Sequence, residues 1–103
     1  MSLVWTEKPP TADKQPKQML LPCKIGPGQF SSESSVVLTY HDGRGDSMFC
    51  PNEYIVDGKY MRVELKGADQ QGIICFVKLP QKTLGADRPY AFVKLSDLVE
   101  IET

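Results

Sequence analysis

His41 is the one imidazole in this 103-residue chain, so nucleophilic or metal chemistry has few ways to arise. Asp42 adjoins it and Cys50 follows nine residues later, the residue set of a thiol nucleophile with a base and an orienting acid. Such a dyad needs His41 and Cys50 on partner strands of one hairpin. His41 also opens a polar loop, where a solvated turn residue accounts for it more simply. The three cysteines, Cys23, Cys50 and Cys75, form no C-x-x-C pair and have that single histidine to assist them. This argues against a metal site. Reduced thiols serving as small core hydrophobes fit their strand-like contexts better.

Anion chemistry has two candidate places. Gly43, Arg44 and Gly45 can form a nest of backbone N–H groups with a guanidinium beside it. Gly26-Pro27-Gly28 is the other glycine-rich stretch, but no helix follows it to complete a phosphate cradle. Arg44-Gly45-Asp46 also resembles the integrin-binding tripeptide of adhesion proteins, a match of three residues that a polar hairpin loop produces by itself. The carboxylates Glu53 and Glu64 lie in strand-like segments where Arg62 offers Glu53 a cross-strand partner, a structural role. No catalytic residue and no cofactor is expected.

The elements that position these residues are organised around Glu53 to Leu79. Asp57-Gly58 between two apolar runs is a hairpin signal, because a type I′ turn needs positive φ at both central residues. A two-residue turn pairs Ile55 with Tyr60, Tyr54 with Met61 and Glu53 with Arg62. Alternation then places Tyr54, Val56, Met61, Val63 and Leu65 on one face, continued by Ile73, Cys75, Val77 and Leu79 after a polar turn at 67–72. The opposite face carries charge, yet also Ile55, Tyr60, Ile74 and Phe76. Either another part of the chain covers this second apolar set, or it is a surface for a protein partner. Tyr60, Arg62, Phe76 and Lys78 can be arranged as a stacking platform, but Glu53 and Glu64 on the same face oppose phosphate.

The rest of the chain supplies short strands and long loops. Residues 1–17 contain three prolines and few apolar side chains and read as a mobile tail. Trp5, the one tryptophan, stands out there as an aromatic anchor that can dock into a groove. A first strand is expected over 18–25 with Pro22 marking an edge or bulge. A serine-rich loop with Phe30 as a packing plug comes next, then strands at 36–40 and 47–50 flanking the 41–46 loop. Beyond the central meander lie a long loop at 80–89, a strand at 90–95 with Ala91, Val93 and Leu95 inward, a tight turn at Ser96-Asp97 and a closing strand at 98–101. No window has helical apolar periodicity.

Composition narrows the function further. An apolar fraction of 41% and a charged fraction of 24% belong to an ordinary globular domain, here one domain over 18–103. A net charge of −1 with mixed signs leaves no electrostatic footprint for nucleic acid. No apolar run has the length of a membrane span, and the short Leu3-Val4-Trp5 run does not make a signal peptide. A cytoplasmic location is the default.

Six or seven short strands without crossover helices predict an all-β fold, a small antiparallel barrel. The long loop after strand one, the three-stranded meander and the short turn before the last strand resemble SH3-like barrels over about residues 18 to 103. The paired tryptophans with which peptide-binding SH3 domains hold proline-rich ligands have no counterpart, so that ligand mode does not carry over. The function expected is a non-enzymatic interaction or assembly module, binding a protein or itself through Ile55, Tyr60, Ile74, Phe76 and Trp5. The alternative is a small-molecule or anion binder using the loops at 26–35, 41–46 and 80–89.

Overall fold

The computed structural model describes residues 17–101, which form nine short strands, two 3-10 turns and no α-helix. The strands are β1 (Lys17–Pro22), β2 (Lys24–Pro27), β3 (Glu33–Thr39), β4 (Gly45–Pro51), β5 (Ile55–Val56), β6 (Tyr60–Ala68), β7 (Ile74–Lys78), β8 (Tyr90–Lys94) and β9 (Val99–Glu100). All pairings are antiparallel, in two sheets. One runs β8-β7-β6-β1-β9 with β5 added to β6, and the other is the meander β2-β3-β4. No closed barrel forms among these residues, since the longer path ends at β8 and β9.

The first expected strand is two strands in different sheets. Pro22 has no N–H to give to a ladder, and the next amide, Cys23 N–H, turns aside to the Lys59 carbonyl at 2.9 Å. The chain therefore leaves the larger sheet at Cys23 and enters the smaller one at Lys24. Ser34 and Ser35, expected in a loop, extend β3 by pairing with Cys50 and Phe49. Phe30 is no plug: it is 68% exposed.

The Asp57-Gly58 turn forms as expected, with φ of 56° and 63°, and Lys59 N–H closes it on the Val56 carbonyl at 3.1 Å. The register beyond it is shifted by one residue. Val56 pairs with Tyr60 and Ile55 with Met61, because Lys59 spends its carbonyl on Cys23 instead of the hairpin. Residues 52–54 form a 3-10 turn in place of the first half of the expected strand. There Arg62 Nη2 donates to the Glu53 backbone carbonyl at 2.6 Å, so the expected side-chain pair is replaced by a side-chain-to-backbone bond.

The core lies between the sheets, and alternation selects it. Val36, Leu38, Met48 and Cys50 come from the smaller sheet; Met19, Leu21, Met61, Val63, Cys75, Val77, Ala91 and Val93 come from the larger. Between Val36 and Leu38 the sheet's other face carries Val37, which is 46% exposed. The aliphatic side chains each contribute about 1.5–3 kcal/mol when fully buried. Cys50 and Cys75 are wholly buried and Cys23 half-buried, all three as free thiols. Among the described residues no helix is long and apolar enough to cross a membrane.

Candidate functional site

The two sheets meet beside the β3–β4 turn, and a groove of about 520 Å³ opens there. One wall is that turn, with Tyr40, His41, Arg44 and Asp46. The other is the outward side of β7 and β8, with Phe76, Tyr90 and Phe92, completed by Gly85, Ala86 and Arg88 of the long loop. The volume is in the range of small-ligand clefts, roughly 300–1,000 Å³.

The aromatic wall follows from register. Phe76 of β7 pairs directly with Phe92 of β8, and Tyr90 is the diagonal neighbour. The Phe76 and Tyr90 rings stack with centroids 5.1 Å apart and planes 11° apart, and Phe76 meets Phe92 at 4.9 Å. On the other side of β7 a bulge between Leu65 and Gly67 brings glycine opposite Phe76, so no side chain from β6 stands at that position. Tyr90 and Phe92 are 39% and 38% exposed, the kind of aromatic surface that a core does not use.

Asp46 holds the opposite wall in place. Its carboxylate accepts from Tyr40 Oη at 2.5 Å, from its neighbour Ser47 N–H at 2.8 Å, from Gly85 N–H at 2.8 Å and from Ala86 N–H at 3.0 Å. Burial opposes its charge, but the Tyr40 hydroxyl and these three amides outweigh burial and hold the carboxyl well below the usual range. Tyr40 moves the other way: burial first, then its bond to Asp46, raise the phenol. Thr83 lies near enough to offset part of that rise, yet its buried Oγ1 meets no partner in full hydrogen-bond geometry. Leu84 N–H to the Ser47 carbonyl, at 2.7 Å, also ties the long loop to β4. A Cβ at Gly85 would lie 2.7 Å from Asp46 Oδ1, so the close approach of loop to carboxylate requires glycine there.

The expected anion nest already holds an anion, and it is the chain's own. Asp42 accepts from Arg44 N–H at 3.1 Å and from Arg44 Nε at 2.8 Å, and the Arg44 amide, then the guanidinium, lower its pKa. Gly43 N–H goes to the Tyr40 carbonyl and Gly45 pairs with Thr39 in the ladder. Arg44 also lies 5.7 Å over the Tyr40 ring, making it a wall of the groove. Nor does Arg44-Gly45-Asp46 offer its acid outward, as the adhesion tripeptide would require, because both Asp46 oxygens are engaged within the fold. His41 N–H donates to the Phe92 carbonyl at 2.9 Å, which joins the sheets and blunts the edge of β8.

The expected interaction patch does not come together. Phe76 is in the groove and Ile74 is two residues along β7, opposite Lys94. Tyr60 is at the far end of β6, beside Val56 and Pro22, seven residues of strand or roughly 20 Å from the position opposite Phe76. Ile55 packs against the core, the consequence of the register shift. Trp5 lies outside the described residues. Of the three loops, 41–46 and 80–89 meet at the groove, while the 28–32 segment is at the other end of β3, also roughly 20 Å away.

A thiol dyad is excluded by the same register. His41 is beyond the Thr39–Gly45 pair and Cys50 is opposite Ser34, so most of the hairpin separates them. Burial, then Glu33, push the Cys50 thiol up to about 11, which keeps it protonated at neutral pH. Burial likewise carries Cys75 to about 11 and Cys23 to about 12. No cluster of metal-ligating side chains occurs among the described residues.

Tyr40, Tyr90 and Phe92 carry no functional expectation in the sequence, and Asp46 and Arg88 enter only through the Arg-Gly-Asp tripeptide and the loops at 41–46 and 80–89. For two of them the signal was present: alternation that turns Ala91 and Val93 inward turns Tyr90 and Phe92 outward. Asp46 had no such signal, since its partners are amides 39 and 40 residues away. No protein-family model, curated protein or solved structure matches this chain.

Proposed function

We propose that this chain is a non-enzymatic binding module that engages a protein partner through the groove between the β3–β4 turn and the 80–89 loop. The supporting observation is the ledge of Phe76, Tyr90 and Phe92, aromatic surface left outside the core and faced by Tyr40, Arg44 and Arg88. Aromatic and arginine side chains are the groups that supply most energy at protein interfaces. Both walls are fixed before a partner arrives, one by cross-strand pairing and the other by Asp46, so little ordering cost falls on binding. The strand path β8-β7-β6-β1-β9, with a 3-10 turn before β9, supports an SH3-like arrangement in which β2-β3-β4 is an insertion between the first two strands. Three reduced thiols suit the cytoplasm.

Replacing Tyr90 and Phe92 together by serine tests this reading. Both rings are partly exposed, so the fold should survive with a loss of about 1–2 kcal/mol in urea unfolding. A protein partner captured by the wild-type chain should be lost from the variant. Collapse of the fold would show instead that the ledge is core.

A second reading, a small-molecule or anion ligand, draws on the convergence of the 41–46 and 80–89 loops at the same groove. A metabolite that raises the thermal midpoint at millimolar concentration, with no partner retained, would favour it.

A further inference from the structure

We propose that a second, smaller pocket on the outward face of the larger sheet binds a phosphoryl group, held between the Arg62 guanidinium and the Lys78 ammonium. The pocket has a volume of about 140 Å³, and its walls include Gln18, Tyr54, Arg62, Glu64, Lys78 and Pro80. It shares no lining residue with the groove, and the proposal does not depend on what the groove binds.

Register builds this pocket. Gln18 of β1 pairs with Glu64 of β6, and Glu64 with Lys78 of β7, so the three stand side by side across the sheet. Arg62 is two residues before Glu64 on β6 and therefore on the same face. Arg62 and Lys78 are thus diagonal neighbours, roughly 7–8 Å apart, a spacing that two long side chains can close around one ligand. Tyr54, from the 3-10 turn, supports the arginine with its ring centroid 5.7 Å from the guanidinium carbon.

Charge selects the ligand. Glu53 and Glu64 are the acids that would oppose an anion here, and the fold commits both elsewhere. Glu53 is not part of the pocket wall and meets Arg62 through its backbone carbonyl, which accepts from Nη2 at 2.6 Å. Glu64 stands directly opposite Lys78, yet its ion pair is with Lys66 of its own strand at 3.4 Å. Arg62 and Lys78 are left without an ion pair among the described residues. Arg62 Nε is also buried with no hydrogen-bond acceptor. Most buried donors have one, so this is a donor that a ligand oxygen can satisfy. Two positive charges without a counter-ion suit a dianion, and a phosphoryl group carries about −1.5 to −2 at neutral pH on three acceptor oxygens. Arginine engages such oxygens through its planar fork, and lysine adds a point charge. Size agrees: a cavity of roughly 150 Å³ takes a benzene-sized guest, so the pocket admits the phosphoryl group and little of what carries it. That group can come from free phosphate or from a phosphorylated side chain.

Titrating the full chain with inorganic phosphate at constant ionic strength, followed by proton–nitrogen correlation NMR, tests this, because an arginine Nε–H gives its own resonance. The Arg62 Nε–H signal should shift and saturate, together with the amides of residues 62–64 and 78–79. Chloride at the same ionic strength should move none of them. Lys78→Gln, at an exposed position, should weaken binding by about tenfold with the far-ultraviolet circular dichroism unchanged. Glu64→Gln should tighten it. A phosphoserine peptide run alongside separates the sources: tighter binding than phosphate assigns the pocket to a phosphorylated protein, and equal binding assigns it to the free anion. Four results would overturn the proposal: no saturable shift with either probe, an equal response to chloride, an affinity indifferent to Lys78→Gln, or shifts centred on residues 43–45 and 88 in the groove.

Discussion

Asp46 shows how one side chain can shape a site without belonging to its chemistry. Four donors converge on its two oxygens, and two of them belong to the 80–89 loop, which it binds to the β3–β4 turn together with the Leu84 amide on Ser47. Because its folded pKa is depressed, the unfolded chain takes up this proton first as the pH falls. The stability it contributes is complete above about pH 4 and drains away through the lower, folded pKa. Urea midpoints of wild type and Asp46→Asn should therefore differ most at neutral pH, and the gap should begin to narrow only as the pH falls below about 4. The variant should cost about 2–3 kcal/mol at neutral pH, since hydrogen bonds to a charged group contribute more than neutral ones. A gap independent of pH would mean that the carboxylate's charge is not what holds the loop. In the sequence Asp46 is legible only as the end of an Arg-Gly-Asp tripeptide, a local reading that cannot show amides 39 and 40 residues distant.

At the scale of elements, local chemistry was readable wherever local chemistry decides. Asp57 and Gly58 adopt the positive φ values that their types allow. A Cβ on Gly58 meets nothing within 4 Å, so Gly58→Ala isolates the backbone term. It should cost about 1 kcal/mol in urea unfolding, the left-handed penalty less the stiffening of the unfolded chain. A neutral result would show that the turn conformation is not required. The register beyond the turn was not readable, because it depends on Lys59 giving its carbonyl to Cys23, a residue in another segment. That one-residue shift moved Ile55 into the core and separated it from Phe76. The ledge is the opposite case: plain alternation along Tyr90-Ala91-Phe92-Val93 contains it, and the burial pattern of β8 follows that alternation.

On the scale of the whole molecule, an antiparallel all-β fold follows from the turn signals and the lack of helical periodicity, and the structure has it. The division into two sheets does not follow, because it turns on Pro22 and Cys23 diverting the chain out of one ladder into another. That division creates the groove: a single continuous sheet would place no turn against the outward side of β7 and β8. The groove so formed is the proposed contact surface for a protein partner. Amide hydrogen exchange of the chain, alone and with a protein it captures, tests this most directly. Added protection should be confined to residues 40–46 and 84–92. Protection centred instead on Val56 and Tyr60, on the 28–32 loop, or nowhere in the described chain would contradict it.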